Sequence, residues 1–80
     1  MHMAELETID KKLIVISERS AVQIATVKAT NANALDVRLM YPDNVNQEWK
    51  PTKKGAFMVI TKEQVQNIID AIKGMLDHFS

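Results

Sequence analysis

The sequence has no cysteine, which excludes disulfide staples, thiolate metal sites and cysteine nucleophiles, and nothing in it demands an oxidising compartment. Gly55 and Gly74 are the only glycines, too few and too far apart for a glycine-rich phosphate loop or a nucleophile elbow. The two histidines, His2 and His78, stand near opposite termini. They lack the spacing of a metal or catalytic pair and read as solvated surface residues. These absences argue against an enzyme and against a bound metal or cofactor. No apolar run approaches the ~20 residues of a membrane span, and "MHMAELETIDKK" has no apolar core of a signal peptide. A cytoplasmic location is the expectation.

What is present bounds the fold. A chain of 80 residues makes one domain, and a domain of this size buries only ~60% of its unfolded surface. With no disulfide or metal to staple it, oligomerisation is the remaining route to a larger core. Ten basic residues balance ten acidic ones, so the chain is not a polycation that coats nucleic acid indiscriminately. Position matters more than the total. Glu5, Glu7, Asp10, Glu63, Asp70 and Asp77 lie toward the ends, whereas Arg19, Lys28, Arg38, Lys50, Lys53 and Lys54 occupy the middle against Asp36, Asp43 and Glu48. A basic face on a neutral protein is therefore feasible.

Along the chain, "KLIVIS" is a β-branched apolar run and predicts a first strand from Lys12, after a flexible segment over residues 1–11. "AVQIATVKAT" predicts a second, with the slip in alternation between Ile24 and Val27 suggesting a bulge beyond which Lys28 points away from the core. "ALDVRLMY" alternates cleanly. Leu35, Val37 and Leu39 fall on one face and Asp36, Arg38 and Met40 on the other, the pattern of a half-buried antiparallel strand. "PDNVNQEWKPTKKG" reads as a long connection rich in turn formers, and "AFMVI" as strand four.

Thr61 is a good helix N-cap, with Gln64 at the capping-box position and Glu63 in the first turn where the helix dipole favours a carboxylate. Val65, Ile68, Ile69, Ile72, Met75, Leu76 and Phe79 then recur at helical spacing, and Asp70 and Lys73 can pair across one turn on the opposite side. A helix from Lys62 to Phe79 is about 27 Å long at ~1.5 Å per residue, against about 17–20 Å for typical strands. Its far end would overhang the sheet. Ile72, Met75, Leu76 and Phe79 would be wet in a monomer, so the expected assembly is a homodimer joined through them.

Tyr41, Trp49 and the lysines around them carry the functional signal. Phosphates need cations, unstacked bases need flat apolar platforms, and cations interleaved with aromatics on an open antiparallel sheet offer both to a single-stranded nucleic acid. Trp49 has two readings of equal weight, a stacking platform or a hydrophobic plug that holds a loop on the sheet edge.

"LDVRLMYPD", then "WKPTKKG", an apolar strand and a helix opening on "KEQV" together resemble the single-stranded DNA-binding domain of the transcriptional coactivator positive cofactor four and its bacterial and phage relatives. The most specific parts are Asp36-Val37-Arg38 with an aromatic at Tyr41, the Lys50-Pro51 step, Lys53-Lys54-Gly55 and Glu63-Gln64. The resemblance implies an α+β fold: a four-stranded antiparallel curved sheet followed by a C-terminal amphipathic helix that makes the dimer, over residues 12–80. Two such sheets would grip single-stranded or melted DNA. Arg38 and Lys54 would contact phosphates, Tyr41 would stack on a base, and Lys53 and Pro51 would shape the adjoining loop. Lys28, Arg38, Tyr41, Trp49, Lys50, Lys53 and Lys54 form the expected nucleic-acid-binding set.

The chain departs from that pattern in three places. "VKATN" lacks the family's aromatic near the end of strand two, Val65 stands where an aromatic follows the Glu-Gln pair, and "AFMVIT" is longer than the family strand. The acidic or serine-rich extension of eukaryotic coactivators is absent, which favours a bacterial or phage role in replication, recombination or repair. The competing expectation, supported by the neutral net charge, is a dimeric protein-interaction module that docks an acidic partner.

Overall fold

A computed structural model describes residues 7–79. Four strands, β1 (Glu7–Ser17), β2 (Ser20–Lys28), β3 (Asn33–Asp43) and β4 (Glu48–Val59), form one antiparallel sheet in the order β1-β2-β3-β4. Helix α1 (Lys62–Met75) and a 3₁₀ turn (Leu76–His78) close the chain. The α+β architecture is as expected from the sequence. Each strand pairs with the next through a hairpin, so the pairing is local throughout.

The strand limits differ from the expectation where charge masked β structure. β1 begins at Glu7, and Glu7 and Thr8 pair with Lys28 and Val27. Part of the segment expected to be flexible thus belongs to the sheet, while residues 1–6 lie outside the described residues. The polar run "ETIDKK" forms an edge strand whose side chains are all exposed, so burial left no mark on its composition. β2 runs in unbroken register with β3 from Ala21↔Met40 to Lys28↔Asn33, and the bulge expected in β2 is instead in β1, between Thr8 and Asp10.

The long connection expected after Tyr41 is also mostly strand. β3 reaches Asp43 and β4 starts at Glu48, which leaves a turn of Asn44 to Gln47. Asp43 makes that turn: its carboxylate accepts from the Val45 N–H at 3.0 Å and from Asn46 Nδ2 at 2.9 Å, and Gln47 N donates to the Asp43 carbonyl with Gln47 at φ 55°. Asx-turn chemistry of this kind replaces a loop. Trp49 and Lys50 consequently sit in a ladder, opposite Pro42 and Tyr41.

Residues directly opposite across an antiparallel ladder share a face, so the register sorts the sheet into two surfaces. The first carries the transverse rows Lys11, Ala25, Asp36, Phe57 and Leu13, Gln23, Arg38, Gly55, with Ala21, Met40 and Pro51 beyond them. The second carries Ile14, Val22, Ile24, Leu35, Val37, Leu39, Ala56 and Met58. Alternation in β3 is as the sequence predicts, but burial is not. Met40 is buried and Leu39 exposed, because the buried residues, Ala21, Ala25, Val27, Ala34 and Met40, all belong to the first face.

Helix α1 starts on the predicted capping box: Thr61 Oγ1 accepts from Gln64 N at 3.2 Å and Gln64 Oε1 accepts from Thr61 N at 2.9 Å. Thr61→Ala is expected to cost about 1 kcal/mol of stability, measurable as a lower urea midpoint; an unchanged midpoint would mean that the cap is idle. The α-helix ends at Met75, four residues before Phe79, and tightens into the 3₁₀ turn. Asp70 accepts from Gln66 Nε2 at 2.9 Å and, among the described residues, does not pair with Lys73.

The helix does not form a second layer on the sheet. Its first turn borders a cavity lined by Thr26, Leu35, Ile60 and Val65, and none of its residues is buried. The radius of gyration is 14.8 Å, against about 12 Å for a compact chain of this length. Sheet and helix each keep an uncovered apolar surface.

Candidate nucleic-acid interface

The β3–β4 hairpin positions six of the seven expected binding residues. Near the turn, Tyr41 faces Lys50 and Pro42 faces Trp49 across the ladder, and Tyr41 is 47% exposed. Farther along, register is lost between Arg38 and Met40, which pair with Gly55 and Pro51. Thr52, Lys53 and Lys54 therefore stand opposite Leu39 alone, in a bulge on an edge strand.

Thr52 staples this bulge. Its hydroxyl donates to the Leu39 carbonyl at 2.9 Å and accepts from Lys54 N at 3.0 Å. Arg38 closes the other side: Nη1 donates to the Thr52 carbonyl at 3.3 Å and Nη2 to Asp36 Oδ1 at 3.2 Å. The guanidinium lies over Gly55, where a Cβ would come 3.1 Å from Arg38 Cζ and 2.4 Å from the Val37 carbonyl oxygen. This is a close approach that only glycine permits. Lys53-Lys54-Gly55 is therefore a structural unit, in which glycine makes room for the arginine that fixes the bulge carrying the lysines.

The cations are not equivalent. Arg38 is paired with Asp36, and Lys50 with Glu48 at 2.8 Å. The hydrogen bond that Lys50 donates to Glu48, with the charge of that carboxylate, raises the Lys50 pKa above the usual lysine value, so Lys50 stays protonated through neutral pH. Among the described residues, Lys53, Lys54 and Lys28 form no ion pair. Asp43 is held below the usual carboxylate value by the Val45 N–H and then by Asn46. A depressed carboxylate stabilises the folded turn above its unfolded pKa, and that contribution is lost as pH falls through the folded value. The hairpin tip should thus loosen only in acid.

One expected member, Lys28, is placed apart, and the others divide between the two faces. Lys28 is at the far end of β2, opposite Glu7 and Asn33, seven residues along the strand from the row of Met40 and Pro51. Arg38 and Tyr41, three residues apart in a regularly paired strand, point to opposite faces; Arg38 shares its face with Trp49, and Tyr41 shares its face with Lys50 and Lys54. What unites the two groups is the open edge of β4, which both faces border. Trp49 is half-buried beside Pro42 and the turn, between the plug and the free platform.

Ile72, Met75, Leu76 and Phe79, the residues expected at a dimer interface, are all exposed along the C-terminal helical segment. Phe57, 45% exposed on the face of Arg38, was not picked out from the sequence. Its signal was the length of β4, which carries it onto the sheet surface. Comparison with protein-family models, with curated proteins and with solved structures gives no match.

Proposed function

We propose that this chain is a homodimeric, sequence-independent single-stranded DNA-binding protein, acting in replication, recombination, repair or transcription. The observation that carries the reading is the gathering of Tyr41, Trp49, Lys50, Lys53 and Lys54 in the hairpin that ends at an open strand edge, where Lys53 and Lys54, on a stapled bulge, form no ion pair among the described residues. An edge of this kind offers phosphates their cations and bases their flat rings. Bases stack with little regard to identity, so binding should be broad.

The dimer follows from what the single chain leaves uncovered. The aliphatic face of the sheet and the apolar stripe of α1 are both open to solvent, and patches of this extent on one small domain mark an interface. A two-fold partner can cover both in each copy. The same helix residues named above would lie in that interface.

Replacing Lys53 and Lys54 with alanine tests the site. Affinity for all single-stranded oligonucleotides should fall about equally, and the slope of log K against log salt should flatten by up to ~1.4, at ~0.7 for each lost phosphate contact. Unchanged slope and affinity would reduce the bulge to a solvated turn. Trp49 fluorescence reports separately: quenching at saturation supports stacking, and an indifferent signal assigns the indole to the hairpin alone. A protein-interaction module is the second reading, favoured by the neutral net charge. It would bind an acidic polypeptide and leave the oligonucleotides free.

A further inference from the structure

We infer that the binding surface extends from the β4 edge across the small-residue face of the sheet, with Phe57 as a base-stacking platform and Lys11 as a phosphate contact on the opposite rim. This rests on the single-stranded DNA reading above. Its basis is one transverse row, Lys11, Ala25, Asp36, Phe57, that crosses all four strands. Neighbouring strands are ~4.8 Å apart, so three spacings put the backbones of Lys11 and Phe57 about 14 Å from each other.

Between these rims the floor is low. Ala21 and Ala25 are 0% and 5% exposed, and their short side chains add no height to the sheet surface. Phe57, next to Asp36 in the row, has 45% of its surface free. A large exposed aromatic ring at one end of the row and a cation at the other make a lane with one wall for bases and one for phosphates. A nucleotide presents those two groups at its opposite ends.

Charge selects the occupant. By alternation the small-residue face carries Lys11, Arg38 and Lys53 against Asp36 alone, and the Asp36 carboxylate is already bound to Arg38 at 3.2 Å. The aliphatic face holds Lys12, Lys28, Lys50 and Lys54 against Glu7, Asp10, Asp43 and Glu48, with Asp10–Lys12 and Glu48–Lys50 paired. One face is cationic and the other balanced. The balanced face, lined by Val22, Ile24, Val37 and Leu39, suits burial in the dimer; the cationic one suits a polyanion with exposed bases. The aromatic absent from the end of β2 is thereby supplied from β4.

The experiment is a titration of fluorescein-labelled oligothymidylate with the full chain and with Phe57→Leu, Phe57→Tyr and Lys11→Ala, alongside light scattering of each. Phe57→Leu keeps an apolar side chain and loses the flat ring. It should weaken binding by roughly 5- to 150-fold, the worth of one stacked base, while Phe57→Tyr binds as the parent does. Lys11→Ala should flatten the salt slope by ~0.7. If the parent binds and Phe57→Leu binds equally well, or if Phe57→Leu changes the oligomeric mass, the lane is wrong and Phe57 belongs to packing. Failure of the parent itself to bind oligothymidylate would overturn the single-stranded DNA reading and the lane with it.

Discussion

Ile72→Asp, or Leu76→Asp, is expected to yield monomer or unfolded chain by light scattering where the parent gives twice the 9.0 kDa chain mass. Both side chains are exposed on the last turns of the helical segment, on the same stripe as Met75 and Phe79. A carboxylate placed there costs the monomer almost nothing. In a helix-mediated dimer it becomes an unpaired charge removed from water, at a cost of several kcal/mol. Among the described residues the single chain buries five hydrophobic side chains, three of them alanine, and none of the large ones completely, too little core to compensate. Loss of the dimer should therefore lower stability as well as mass. A stable dimer in either variant would mean that the helix is not the interface.

Gly55→Ala should be the most damaging conservative change in the sheet. The added methyl would lie 2.4 Å from the Val37 carbonyl oxygen and 3.0 Å from Arg38 Cα, both backbone atoms of a paired strand that cannot swing aside like a side-chain tip. β3 and β4 must separate locally, and the Arg38 guanidinium must leave its seat over the glycine. Forced overpacking of this kind costs ~1–3 kcal/mol, and the bulge that presents Lys53 and Lys54 loses its staple. A lower urea midpoint together with weaker oligonucleotide binding is expected. Gly74 provides the control, since a Cβ there meets nothing within 4 Å, and Gly74→Ala should be neutral or stabilising through better helix propensity.

The helix start was legible in the sequence because capping is local: Thr61, Glu63 and Gln64 announce it within four residues, and both capping-box hydrogen bonds form. The alternation of "ALDVRLMY" likewise announced the two faces of β3. The hairpin was harder to read. Asp43 and the residues after it look like a long loop because turn formers, a proline and lysines dominate them, yet the strand-edge location of β4 tolerates Pro51 and exposed lysines. The chain doubles back in four residues. Which face is buried was also hidden, since three of the five buried residues described are alanines, which carry little apolar signal. Pairing of Asp36 with Arg38, Glu48 with Lys50 and Asp10 with Lys12 follows one pattern, each joining residues two apart on one strand face. That pattern is visible in sequence once the strands are known. The row that joins Lys11 to Phe57 depends on three registers at once, so no local stretch contains it.

The most direct measurement is fluorescence anisotropy of labelled single-stranded, duplex and bubble oligonucleotides titrated with the full chain across a range of salt. The account predicts tight binding to single strands and bubbles, weak binding to duplex, indifference to base composition, and log K falling by ~0.7 per phosphate contacted as log salt rises. Binding that is absent, favours duplex, or ignores salt would contradict it.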